Sequence, residues 1–255
     1  MRSGFSLVEL SIVLVILGLL TGGILSGQSL IRAAELRSVT TEFQKYQNAL
    51  HTFRNQYFYL PGDMPNATQF WGSASCPATP GTGTQTCNGN GNGLLDNAAA
   101  IGQFGERFTF WQHLSVAGMV DGTYTGRAGP NGASDVEPGI NVPKSRLAMG
   151  SWNAGDLNNV DGSNLLYFAY DYTKTLKLGA EVNSGSYGNN GGVLNPQEAF
   201  GIDTKIDDGL PAKGRFVVGN VTGCTDTASN TNLNASYLLT SNNNSACHLR
   251  FMDSL

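Results

Sequence analysis

Four groups of side chains in this 255-residue chain have types and spacings suited to chemistry. Asp203, Asp207 and Asp208 are close in sequence and offer hard oxygen ligands. Asn88, Asn90, Asn92, Gly93 and Asp96 fall at positions 1, 3, 5, 6 and 9 of an EF-hand-like loop, a calcium-binding pattern. Position 12 of that loop is Ala99, where a bidentate Glu would be needed, and neutral asparagines make a weak site. Both groups are also ordinary turn sequences, because Asn-Gly and Asp-Gly are turn formers. Calcium is therefore the one ligand the residue types suggest, and no other cofactor is expected.

The third group is Cys76, Cys87, Cys224 and Cys247. Four cysteines allow three pairings, and sequence proximity favours Cys76–Cys87 with Cys224–Cys247. Zinc is the competing reading, but no pair has C-x₂₋₄-C spacing, and His51, His113 and His248 are scattered. Two disulfides would place this part of the chain in an oxidising compartment. The nucleophile and metalloprotease motifs GxSxG and HExxH do not occur, nor does a P-loop. No catalytic residue is identified, and the chain reads as a protein other than an enzyme.

The fourth is a single carboxylate, Glu9, the only charge between Phe5 and Ile31. From Phe5 to Leu25 the chain is apolar for about 21 residues, enough for a helix to span a hydrocarbon core of roughly 30 Å. A secretory signal peptide has a shorter apolar region and an A-x-A-like cleavage site, which is missing here. A plain signal anchor explains the length but not Glu9. A carboxylate inside a spanning helix costs about 2.5–3.5 kcal/mol unless it snorkels to the membrane edge, so its presence points to a function. Gly18/Gly22 and Gly23/Gly27 fit GxxxG, which lets membrane helices approach closely, although glycine is common in such helices anyway.

The remaining composition fits a loop-rich body. Charged residues make up only 13%, which excludes disorder driven by charge. With a net charge of −4 and no basic stripe, no nucleic-acid partner is expected. Glycine (33) and asparagine (24) are abundant enough to demand many turns.

Leu36, Val39, Phe43, Tyr46, Leu50, Phe53 and Tyr57 recur at steps of three and four, one apolar stripe on a helix. Arg32, Glu35, Arg37, Glu42, Lys45 and Arg54 fall on its other faces. The anchor and this amphipathic half would form one helix about 80 Å long, closed by Pro61 and Gly62. Residues 72–97 read as a stapled surface loop. Ile101, Phe104, Phe108, Trp111 and Leu114 predict a second helix ending before Gly118. Strands are expected at Arg146–Gly150, Asn164–Asp171 and Arg215–Asn220. Asn195-Pro196-Gln197-Glu198 reads as a capped helix start. The predicted fold class is α+β, a long helix packed on a loop-rich globular domain with a small antiparallel sheet.

A short basic leader ending in Gly4, then Phe5, with Glu9 fifth after the junction, resembles the type IV pilin and type II secretion pseudopilin family. The resemblance covers Gly4 to about Tyr59, and YFYLPGDMPNA and EAFGIDTKIDDGLPAKG look like segments of pseudopilin-like subunits. It implies a leader over 1–4, a helix over 5–58 (transmembrane over about 5–27) and a globular pilin-like domain over 59–255. A prepilin peptidase and N-methyltransferase would cut after Gly4 and methylate Phe5. Glu9 and Phe5 would direct assembly, and the stripe would pack on the subunit's own body. The resemblance further implies a single-pass protein of the bacterial inner membrane with a periplasmic body, later part of a pseudopilus or extracellular pilus. Its partners would be other pilin or pseudopilin subunits, the inner-membrane assembly platform and lipid. Some major pseudopilins hold calcium in a loop, which bears on Asp203, Asp207 and Asp208. The chain length tilts the expectation toward a minor subunit. Many pilins have a proline where this chain has Ser26, so melting of the helix there would rest on the glycines instead. The alternative is a membrane-tethered periplasmic or extracellular binding module or adhesin.

Overall fold

Helix α1 (Leu7–Tyr57) runs unbroken for 51 residues, glycines included. Its start is fixed by a capping box: Ser6 Oγ accepts from Val8 N–H at 3.3 Å, and Ser6 N–H donates to the Glu9 carboxylate at 2.8 Å. It ends where Phe58 turns left-handed (φ 63°) and sends its N–H back to Arg54 O at 2.9 Å. The computed structural model describes residues 6–74, 76, 85–157, 166–169, 172–182, 188–219, 221–243, 245–252 and 254–255. Every described residue from 6 to 26 is exposed. In the second half the apolar stripe turns inward: Val39, Phe43, Tyr46, Leu50 and Phe53 are buried, flanked by half-buried Leu36 and Tyr57. Each large apolar side chain buried in this way contributes about 1.5–3 kcal/mol.

What the stripe packs against is a four-stranded antiparallel sheet, ordered β1 (Gly150–Leu157), β2 (Tyr172–Ala180), β4 (His248–Phe251), β3 (Phe216–Gly219). Register and the period-two alternation of strands give it two unlike faces. Trp152, Leu178, Leu249 and Val218 align across one face, as do Ala154, Leu176, Phe251 and Phe216. This apolar face meets α1: Phe43 stacks on Phe251 with centroids 4.1 Å apart, and Tyr46 sits edge-on to Trp152 at 5.5 Å. Asn153, Lys177 and Arg250 align across the opposite face, near Thr175 and His248. That polar face is buried too.

Among the described residues the other helices are α2 (Ala67–Trp71), α3 (Glu106–Val116), α4 (Pro196–Ile206) and α5 (Val221–Cys224). Helix α4 starts at Asn195, whose side chain accepts from Glu198 N–H at 2.8 Å while Glu198 accepts from Asn195 N–H. Helix α3 begins later than the apolar spacing implies. Gly105 is its N-cap, Phe104 bridges to Arg127, and Ile101 is exposed on a turn.

Strand positions need correction. Arg146–Gly150 is a turn in which Gly150 N–H donates to Leu147 O, and β1 starts at its last residue. Within Asn164–Asp171, the described residues Leu166–Ala169 form a turn and bend, and the rest lie outside the described residues. The strand itself begins at Tyr172. Arg215 precedes β3, and Asn220 lies outside the described residues. Strand β4, in the Asn/Ser-rich tail, carried no signal strong enough to predict it.

Candidate functional site

Chemistry at the N-terminal end rests on Gly4, Phe5 and Glu9. Gly4 and Phe5 lie outside the described residues. Glu9 sits in the first turn of α1, where a carboxylate is favoured by the helix dipole as well as by the Ser6 N–H. The exposed residues after it, Leu10, Ile12, Val13, Leu14, Val15, Ile16 and Leu17, form an apolar surface around the helix. The apolar part of α1 is long enough to cross a membrane and has no side chain buried in the body.

Where α1 meets the body, three of its charged side chains are recruited into the joint. Arg32 forms a two-pronged pair with Glu198, Nε to Oε1 at 2.6 Å and Nη2 to Oε2 at 2.7 Å, and also donates to Val193 O at 3.1 Å. Glu42 accepts from Trp152 Nε1 at 2.6 Å, Ser145 Oγ at 2.6 Å and Arg146 N–H at 2.8 Å. Lys45 reaches Asp121 at 2.5 Å on the exposed side. Sequence reasoning placed Arg32 and Glu42 on faces other than the apolar stripe and missed these roles. Their partners lie more than a hundred residues away, and periodicity carries no record of them.

The turn after α1 is held by carboxylates facing backbone donors. Asp63, buried, accepts from Gly91, Asn92 and Gly93 N–H at 2.6–3.1 Å. Glu106 accepts from Asn90 and Asp96 N–H at 2.8 and 2.9 Å. Burial pushes the Glu106 carboxyl above its ordinary range, with Asp63 and Asp96 adding to the shift and those two N–H bonds opposing it. The asparagine loop is organised by the same donors. Asn88 Oδ1 accepts from Thr68 N–H, Asn90 Oδ1 from Asn92 N–H and Asn92 Oδ1 from Leu94 N–H. The Asn90 and Asn92 amide groups donate to Asp96. This loop aims N–H groups, not oxygens, at Asp63 and Asp96.

His113 links this turn to the first disulfide loop. Gly62 N–H donates to its Nδ1 at 2.9 Å, so Nε2 carries the proton and donates to Thr86 Oγ1 at 3.1 Å. Thr86 Oγ1 in turn donates to Gln112 Oε1 at 2.7 Å. Burial lowers the imidazole pKa to about 4, so the ring stays neutral.

The acidic group behaves differently. One carboxylate oxygen from each of Asp203, Asp207 and Asp208 lies within 4.8 Å of the others. Asp203 is buried at the end of α4 and accepts from Tyr237 Oη at 2.7 Å and Gly209 N–H at 3.2 Å. Asp207 Oδ2 accepts from Arg215 and Phe216 N–H. Burial, reinforced by Asp208 and Asp207, pushes the Asp203 carboxyl up to about 7 despite its hydrogen bonds. Among the described residues these three acidic groups have no cationic side-chain partner, and they match the donor types of a hard divalent ion.

Cys76 is joined to Cys87 and Cys224 to Cys247. The second bond is fully buried and ties α5 to the residue before β4, whereas Cys76 is exposed.

No curated protein and no solved structure matches this chain. Residues 1–25 match the family model of the prokaryotic N-terminal methylation motif. The N-terminus of this chain is thus a prepilin segment of the type IV pilin and pseudopilin type, heading an apolar helix that fits a membrane anchor.

Proposed function

We propose that the protein is a structural subunit, of the minor kind, in a type IV pilus-like filament or type II secretion pseudopilus. One observation carries this reading: the methylation motif at residues 1–25 is continuous with a single 51-residue helix. Half of that helix is bare and apolar, and half is packed into the body. In this reading a prepilin peptidase cuts after Gly4 and methylates Phe5. The chain sits in the inner membrane with its body in the periplasm, and the assembly platform moves it into a filament of related subunits. The bare half supplies the helix-to-helix core. A cationic amine on Phe5 pairs with Glu9 of a neighbour, which offsets much of the cost of burying either charge alone. The body serves as a scaffold, not a catalyst. Asp203, Asp207 and Asp208 hold calcium in the same reading, which would keep all three carboxylates ionised.

The test is mass spectrometry of the native protein together with co-purification of Glu9→Leu in sheared filaments. A chain starting at methylated Phe5, and a Glu9→Leu variant that inserts in the membrane but is excluded from filaments, are expected. An N-terminus at Met1 in a peptidase-competent host refutes the reading.

A further inference from the structure

The buried polar face of the sheet carries a pair of side chains that the filament role leaves unused. Lys177 projects from the centre of β2, is 6% exposed, and donates through Nζ to Asn190 Oδ1 at 2.5 Å. Asn190, 7% exposed, lies in the segment that runs back along β2 through the Ala180–Gly191 bridge. An amide C=O bond is about 1.23 Å long, so Asn190 Cγ lies within about 3.7 Å of the lysine nitrogen. That is close to the separation of about 3–3.5 Å from which bound reactants collapse onto one another.

We propose that Lys177 and Asn190 condense to an intramolecular isopeptide bond. The Lys177 Nζ lone pair attacks Asn190 Cγ, the Nζ–Cγ bond forms, and the Cγ–Nδ2 bond breaks. One amine proton passes to Nδ2, which leaves as ammonia, so no oxidant or cofactor is needed. An amine must be neutral to attack. Burial, with Arg250 and Arg107 adding like charge, drives the Lys177 pKa well below its ordinary value. Arg250 is the cross-strand neighbour of Lys177, and its guanidinium charge favours the oxyanion that develops on Oδ1. His248, on the same face of β4, is fully buried beside the Asn190 backbone. Burial, the largest cause, lowers this imidazole's pKa well below its ordinary value, so the ring is neutral and a nitrogen lone pair can relay the amine proton. The competing fate of an Asn-Gly pair is attack by the next backbone nitrogen. Here Gly191 N–H is committed to Ala180 O at 3.0 Å.

The experiment is intact-mass analysis of the full-length chain, purified in detergent and then reduced and denatured, followed by peptide sequencing. Loss of ammonia removes about 17 Da, and a branched peptide containing both Lys177 and Asn190 is expected. Lys177→Met and Asn190→Ala should each restore the full mass and abolish the branched peptide. The wild-type result decides even where a variant misfolds. Full mass with an unmodified Lys177 peptide overturns the proposal. So does an ammonia loss confined to a succinimide at Asn190–Gly191.

Discussion

Replacing Glu42 by alanine removes one carboxylate and strands three donors: the Trp152 indole, the Ser145 hydroxyl and the Arg146 N–H. Trp152 is fully buried beneath α1, so its Nε1 has no route to water once the acceptor is gone. An unsatisfied buried donor costs about 1–3 kcal/mol, and a hydrogen bond to a charged group contributes about 1.5–3 kcal/mol. The Ser145 and Arg146 donors lie nearer the surface and recover water. The expected destabilisation is therefore about 3 kcal/mol, set mostly by Trp152. For a body of this size it lowers Tm by about 6–12 °C. Glu42→Gln keeps one oxygen for Trp152 and Ser145 but turns an N–H toward Arg146 N–H, so it should cost about half as much. The assay is thermal unfolding of the full chain in detergent, followed by tryptophan fluorescence and circular dichroism. A Glu42→Ala protein within about 0.5 kcal/mol of wild type, the range of ordinary surface changes, refutes the reasoning.

Three further outcomes can be checked. The folded-state pKa of His113, lowered to about 4, lies below the ordinary 6.5. Its stabilising effect is thus complete above pH 6.5 and fades as pH falls toward 4, by about 3 kcal/mol in all; His113→Gln should flatten unfolding curves over that window, and an unchanged slope counts against the neutral relay. With graded reductant, alkylation and peptide mapping should show Cys76–Cys87 opening first, because Cys76 is exposed while Cys224 and Cys247 are not; simultaneous opening contradicts this ordering. Calcium at millimolar level should raise Tm where magnesium does not, and Asp207→Asn with Asp208→Asn should erase the gain; the absence of any shift in wild type removes calcium from the account.

Local signals were readable in the sequence, and distant ones were not. The apolar run and the stripe from Leu36 to Tyr57 define α1 because helical periodicity is a local property. The Asn195-Pro196-Gln197-Glu198 start of α4 could be read for the same reason, its capping residues being three apart. Strand β2 was hidden because its buried second face carries Thr175 and Lys177, so alternation there pointed to solvent. Strand β4 shows the same masking, with His248 and Arg250 buried between apolar neighbours. At the site, Glu9 stood out because an isolated charge in an apolar run is costly, whereas Gly4 and Phe5 were legible only through the family resemblance. The Arg32–Glu198 and Glu42–Trp152 contacts depend on tertiary geometry, which spacing in one element cannot encode.

The spread of contacts along α1 determines how a pull on the helix would enter the body. Arg32 fastens the helix to α4 at one end of the packed half, and Phe53 and Tyr57 meet Trp71 at the other. Between them lie the Glu42 contacts and the Phe43–Phe251 stack, and the whole row extends over about 38 Å of helix axis. Tension applied through the bare half runs parallel to this row of fastenings. They are strained together, in shear, instead of parting one after another as they would if the body were peeled from one end. The body is carried like a load riveted along a beam, and its resistance to detachment scales with the number of rivets.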